Sequence, residues 1–322
     1  HVGQMFDEPW MTSHYKAEGK IEYTVLNFIP SSKPFDLYDP ARENRLKLYV
    51  KKVFITDNCP DLIPPYLRFL RGVIDSEDLP LNISREMLQN NPVVTKIKSS
   101  LVKRTISDLR KKLNSEKEEY INFWKNFGPV LKEGIYEDFD RKESLLEISL
   151  FKQSESTELI TLEEYISKMP KKQKDIYFIT GENYDSMINN PSLEGYKSRN
   201  INVLILDDPV DSFWTSSTSS YKENNFKSVT QGTDDLDKLS KKSKEGKDDK
   251  AVEPLIIFFK EKLKDHVKDV RISKRLTDSP VCLVGDEGAM DPHLEKILQQ
   301  HNQLNQGISL KVRGNGERYY VF

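Results

Sequence analysis

Two apolar runs constrain the fold of this chain more than any other feature. They are Lys174-Asp175-Ile176-Tyr177-Phe178-Ile179-Thr180, closed by Gly181, and Val203-Leu204-Ile205-Leu206, closed by Asp207-Asp208-Pro209. Between them the pattern predicts short helices from Tyr184 to Ile188 and from Leu193 to Ser198. A strand, a helical crossover and a second buried strand form a βαβ unit with parallel pairing. The chain is therefore α/β. Just upstream, Thr161-Leu162-Glu163-Glu164 has the spacing of a capping box and opens a helix to Met169.

The second informative stretch is Leu79-Pro80-Leu81-Asn82-Ile83-Ser84-Arg85-Glu86-Met87-Leu88-Gln89. Pro80 disfavours helix at Leu79. Ser84 is a good N-cap, and strong helix formers follow it. Arg85 then falls in a first helical turn, where a guanidinium beside free amides suits an anion such as a phosphate. Gln89 lies one turn on, on the same face. The ordinary alternative pairs Arg85 with a nearby carboxylate, Asp75, Glu77 or Asp78.

Composition bounds the function classes. The 322 residues suffice for about two domains. Lys and Arg number 49 against 51 Asp and Glu, so no net field favours nucleic acid or a membrane surface. Cys59 and Cys282 are far apart and read as free thiols of a reducing compartment. No long apolar run predicts a membrane span. The start, His1-Val2-Gly3-Gln4, has neither a signal pattern nor an initiator Met, and reads as that of a fragment.

In chain order, residues 1–20 read as irregular. Alternation predicts a strand from Ile21 to Ile29, then one strand from Leu46 through Val50 to Ile55. A helical segment is expected from Tyr66 to Arg71, with Gly72-Val73-Ile74 as a lead-in to the acidic run. Residues 84–114 read as helical with a break or kink at Pro92. A helix from Lys117 to Phe127 carries Tyr120, Phe123, Trp124 and Phe127 inward as core, and Gly128-Pro129 and Gly134 mark turns. Residues 145–150 read as a short helix or strand. The run from Ser212 to Thr233 is polar and its Ser-Ser-Thr-Ser-Ser centre, 216–220, reads as loop, and the mixed charges of 234–250 read as a linker or solvated helix. A helix from Leu255 to Leu263, strands at Val267–Ile272 and Val281–Val284, and a helix from Pro292 to Gln300 complete the chain.

Familiar catalytic chemistry is missing from the sequence. There is no P-loop, and Gly314-Asn315-Gly316 is a turn rather than a dinucleotide fingerprint. No nucleophile elbow is present. The five histidines have no metal-ligand spacing. A small-molecule enzyme built around Thr180-Gly181-Glu182 lacks an accompanying nucleophile. If Arg85 meets a phosphate, another element must hold the nucleotide.

Three segments carry a family resemblance: Leu46-Lys47-Leu48-Tyr49-Val50, Val53-Phe54-Ile55-Thr56-Asp57 and Gly72 through Gln89. They resemble the middle domain of the heat-shock protein 90 chaperones. Phe123-Trp124-Lys125-Asn126-Phe127-Gly128, Leu131-Lys132-Glu133-Gly134, Tyr177-Phe178-Ile179-Thr180-Gly181-Glu182 and Asp208-Pro209-Val210-Asp211 extend the likeness. Trp124 and Phe213-Trp214 resemble the bacterial branch, high-temperature protein G. The likeness runs from residue 1 to about 300. Residues 145–160 deviate, and the tail 311–322 departs.

The resemblance implies an αβα-sandwich middle domain followed by a partial α+β C-terminal domain. Its large part is ribosomal protein S5 domain 2-like and, with a helical coil, spans 1–145. A small αβα part spans 146–233, the charged linker 234–250 and the C-terminal part 251–322. It implies an ATP-dependent chaperone that is a cytoplasmic homodimer binding unfolded client proteins. ATP with Mg2+ is held mainly by an N-terminal ATPase domain that this chain lacks. Arg85 matches the arginine that reaches the γ-phosphate, and Gln89 the glutamine of the same catalytic loop. Phe6, Trp10 and Phe54 fall where the family has client-contacting or coupling residues. Ordinary core packing is the equal alternative for Phe54, and Trp10 beside Pro9 is the better exposed anchor. The helices that dimerise the family are expected to be absent here. The rival reading is a degenerate protein-binding scaffold with no coupling to ATP.

Overall fold

A computed structural model describes residues 8–39, 42, 45–81, 88, 91–232, 236, 249–265, 267–273, 276–285, 290–300 and 318–321. The chain forms two compact units, His1–Ser149 and Leu150–Phe322.

In the first unit, β1 (Met11–Ala17) pairs antiparallel with β2 (Tyr23–Ile29), Met11 opposite Ile29. The sequence leads us to expect an irregular chain at β1. Its run Met-Thr-Ser-His-Tyr-Lys-Ala has little apolar alternation because it is a half-solvated edge strand, defined by its pairing. In β2 the alternation is clear, and Tyr23, Val25, Asn27 and Ile29 face inward.

The single strand expected over 46–55 is instead a hairpin of β3 (Arg45–Val50) and β4 (Val53–Thr56). It turns at Lys51 and Lys52, with φ of 50° and 69°. Two successive left-handed residues match a type I′ turn, normally signalled by Asn-Gly. Lys-Lys conceals it.

The lead-in at Gly72 is in fact β5 (Arg71–Ser76), the middle strand of the order β1-β2-β5-β3-β4. It runs antiparallel to β2 and parallel to β3. Gly72 has φ 152°, and a Cβ there would stand 2.2 Å from the Leu26 carbonyl oxygen. The expected helix before it shrinks to a 3-10 turn, Pro65–Leu67.

Helix α1 (Pro92–Ser115) begins at Pro92; Leu88 before it is helical and Asn91 is extended, so the pattern breaks here as expected. The Asn91 side chain caps the Val93 amide, and proline suits the first helical position. Helix α2 (Lys117–Glu137) runs through Gly128, Pro129 and Gly134, which do not mark turns. Both glycines are close-packing points: a Cβ would meet the Trp124 ring at 2.7 Å from Gly128, and Tyr66 and Leu145 at 2.8 Å from Gly134. Tyr120, Phe123, Trp124 and Phe127 are core, as expected, and the Tyr120 hydroxyl donates to the Ile148 carbonyl at 2.7 Å. Each such buried aromatic contributes roughly 1.5–3 kcal/mol. Helix α3 (Lys142–Ile148) closes the unit.

The second unit centres on the expected βαβ motif. Its elements are β6 (Lys152–Gln153), α4 (Leu162–Lys168), β7 (Ile176–Thr180), α5 (Tyr184–Ile188), α6 (Glu194–Lys197) and β8 (Leu204–Leu206). Both hydrogen bonds of the capping box at Thr161 are made. β7 and β8 pair in parallel, and every residue of β7 is buried. Tyr177, Ile179, Met187, Tyr196, Val203 and Ile205 share one core.

Thr218 and Ser219, in the expected loop centre, are irregular, and the polar run on either side folds as α7 (Asp211–Ser217), β9 (Ser220–Tyr221) and β10 (Asn224–Ser228). Trp214 explains why: it is fully buried, and its indole N–H donates to Asp211 at 2.7 Å. β10 then pairs in parallel with β7, giving the order β6-β8-β7-β10-β9.

Helix α8 (Asp249–Leu263) starts earlier than expected. Strands β11 (Asp269–Arg271) and β12 (Cys282–Gly285), helix α9 (Pro292–Gln300) and β13 (Arg318–Val321) follow, with sheet order β11-β13-β12. The linker 234–250 lies outside the described residues except for Leu236, Asp249 and Lys250. Cys59 and Cys282 are buried free thiols.

Candidate functional site

β5 delivers the chain to the stretch that holds Arg85. Asp75 accepts the Lys52 amide at 3.0 Å, Asp78 accepts the Glu22 amide at 2.6 Å, and Glu77 donates its own amide to Glu22 at 3.0 Å. The acidic run is thus pinned to the neighbouring β1–β2 and β3–β4 connections. Leu79 is buried and Leu81 is half exposed. Leu88 is buried and helical. Arg85, Gln89 and Ser84, the expected N-cap, lie outside the described residues, as does Phe6.

Phe54 stands on β4, at one edge of the five-stranded sheet. It is 52% exposed and Val53 beside it 51%, and its ring meets Tyr49 edge-on at 5.6 Å. An edge strand with solvated apolar side chains offers both free backbone groups and an apolar surface to an extended segment.

Trp10 lies at the opposite edge, where its amide donates to Ile29 at the start of the β1–β2 ladder. Its ring stacks on Phe123 at 4.6 Å, its indole N–H donates to the Glu119 carbonyl at 3.2 Å, and Lys112 sits 5.9 Å from its ring. It is half-buried against α2. The fold therefore does not bring Trp10 and Phe54 together.

The turn after β7 is occupied by structural contacts. The Thr180 hydroxyl donates to Asp291 at 2.8 Å, and Glu182 pairs with Lys296 at 2.7 Å, which holds its carboxyl below the usual range. Among the described residues, no cluster of His, Cys, Asp or Glu is arranged to hold a metal. None of the described helices is long and apolar enough to cross a membrane.

The loop of residues 31–39 leaves Phe35 fully exposed and Tyr38 half exposed. Prolines 30 and 34 mark it as a loop, but no periodic pattern tells which side a loop aromatic faces.

Comparison with known proteins bears on these surfaces together. The Hsp90 protein family profile matches residues 2–314. The chain is 52% identical over 310 residues to the chaperone protein HtpG of Paramagnetospirillum magneticum, covering 94% of this chain and 50% of that protein. It is 51% identical over 313 residues to HtpG of Wolbachia pipientis, covering 95% and 49%. The chain thus spans about half the length of these relatives. Among solved structures, the middle domain of a Plasmodium falciparum heat shock protein superposes with a TM-score of 0.63 at 32% identity, covering 70% of this chain and 90% of that one.

Proposed function

The chain belongs to the Hsp90 family, in its bacterial HtpG branch, and on that premise we propose that it is the middle segment of an ATP-dependent chaperone. In this reading it binds non-native client proteins and presents Arg85 to ATP held, with Mg2+, by an N-terminal ATPase domain. It works within a cytoplasmic homodimer. Arg85 reaches the γ-phosphate, and Gln89 contacts the same group from one helical turn on. The bound nucleotide supplies the phosphoryl group to be transferred to water. This chain's part is electrostatic: a guanidinium presented to charge that grows on the γ-phosphate oxygens in the transition state.

The sequence from Leu79 to Gln89, leaving the middle strand of the sheet, carries the reading. An arginine finger must be held by a rigid scaffold, and β5, paired on one side with β2 and on the other with β3, supplies one. Client contact is assigned to the β3–β4 edge through Phe54 and Val53, with Phe6 and Trp10 coupling the N-terminal edge.

The test is ATP hydrolysis by the isolated N-terminal domain of a relative, with this chain added in trans. Stimulation by the wild-type chain and none by the Arg85→Ala chain is expected. Equal stimulation by both would remove Arg85 from the mechanism. No stimulation by the wild-type chain would favour a scaffold uncoupled from ATP.

A further inference from the structure

Three arginines converge on one carboxylate at the start of β3 and β5. The parallel register sets Arg45 directly beside Arg71, so two guanidinium side chains leave adjacent strands side by side. Arg42 joins them. Asp36 pairs with Arg42, and with Arg45 at 2.7 Å. Among the described residues of the cluster, three arginines thus stand against one paired acid.

It is also largely removed from water. The Arg42 side chain is 2% exposed and Arg71 8% exposed. Nε and Nη2 of Arg42, and Nε of Arg71, are buried donors with no hydrogen-bond partner among the described residues. Burial, then the neighbouring arginines, disfavours the charged form of Arg71. Burial opposes ionisation of Asp36, but Arg42 and Arg45 overcome it and hold the carboxyl low. Unsatisfied buried cationic donors cost stability, and like charges side by side on a ladder add to that cost. Arg45, the exposed member, opens the cluster to solvent.

We propose that Arg42, Arg45 and Arg71 form a binding site for a dianionic phosphate group, either inorganic phosphate or the phosphate of a small monoester. The two charges in excess of Asp36 among the described residues match the charge of such a group near neutral pH. Guanidinium forks match its oxygens in geometry. The monoanion of a carboxylate would leave one charge unbalanced. The site is separate from Arg85 and does not depend on the chaperone reading.

The experiment titrates the chain with inorganic phosphate and, separately, with phosphoserine, at constant ionic strength set with chloride. Phosphorus NMR and the melting temperature are followed. Phosphate stabilises many proteins by exclusion, without saturation, so saturation is the criterion. Saturable binding of either ligand, weakened about tenfold or more by Arg45→Gln, supports the site, and the tighter ligand identifies the source. Arg71→Met should abolish saturation while leaving the ligand-free melting temperature unchanged or higher. Arg45→Gln replaces an exposed side chain and remains informative if Arg71→Met fails to fold. Non-saturable response to both ligands, or saturation unaltered in Arg45→Gln, would overturn the proposal.

Discussion

Gly19 and Gly72 form a natural matched pair for testing the account of the first unit. Their φ angles are nearly identical, 151° and 152°. A Cβ added at Gly19 meets nothing within 4 Å, whereas at Gly72 it meets the Leu26 oxygen at 2.2 Å and the Asn27 Cα at 2.7 Å. Alanine at either site incurs backbone strain of about 1–3 kcal/mol. Only Gly72→Ala adds a steric cost, and the obstructing atoms are the backbone of the paired strand β2, which cannot rotate away. Overpacking of this kind costs about 1–3 kcal/mol. Gly72→Ala should therefore lose about 2–6 kcal/mol and Gly19→Ala no more than about 3. In a unit of this size each kcal/mol shifts the midpoint by about 2–4 °C. Urea and thermal unfolding followed by fluorescence of Trp10 and Trp124 measure both variants. Equal losses at the two glycines would refute the claim that β5 is locked against β2 at this point.

Further outcomes follow from other contacts. Glu194 accepts backbone amides of Thr277 at 2.7 Å, Asp278 at 3.0 Å and Ser279 at 3.1 Å, as well as the Ser279 hydroxyl. The Ser279 hydroxyl, then the Asp278 amide, hold its pKa down, from 4.5 to about 2. A depressed carboxylate contributes stability that is complete above about pH 4.5 and lost as the pH falls toward 2. Glu194→Gln should cost roughly 1–2 kcal/mol at neutral pH, after allowing for solvent screening, and flatten this acid limb; an unchanged limb by thermal unfolding would exclude the role. Phe54→Ser should weaken binding of a labelled, reduced and carboxymethylated lactalbumin about fivefold, measured by anisotropy, with stability changed by less than about 1 kcal/mol. Undiminished binding would place the client surface elsewhere.

The parts legible in the sequence are those where local pattern and tertiary role agree. Buried strands β7 and β8, the capping box at Thr161 and the aromatic face of α2 announce themselves, because burial on a repeating face leaves a periodic trace. Other elements leave no such trace. β1 and β10 are made by pairing with a neighbour, not by their own apolarity. Lys51-Lys52 makes a hairpin turn with residues that rarely signal one. Gly128 and Gly134 look like turn residues, yet they serve close approach of side chains within a helix and across the unit. Pro92 does break the helical pattern, and it does so by beginning a new helix that Asn91 caps. The arginine cluster at Asp36 is a product of register: nothing in a linear reading places Arg45 beside Arg71. At Arg85 the situation reverses, since the role proposed for it rests on a matched sequence motif and the residue lies outside the described ones.

The most direct test of the central claim separates turnover from nucleotide affinity. This chain, exchanged for the corresponding segment of the Paramagnetospirillum magneticum chaperone, supplies Arg85 in its native setting. Arg85→Ala should lower kcat for ATP by at least about tenfold while the Kd for ATP moves by less than about twofold, because the contact strengthens in the transition state. An unchanged kcat, or a loss explained entirely by weaker ATP binding, would contradict the account.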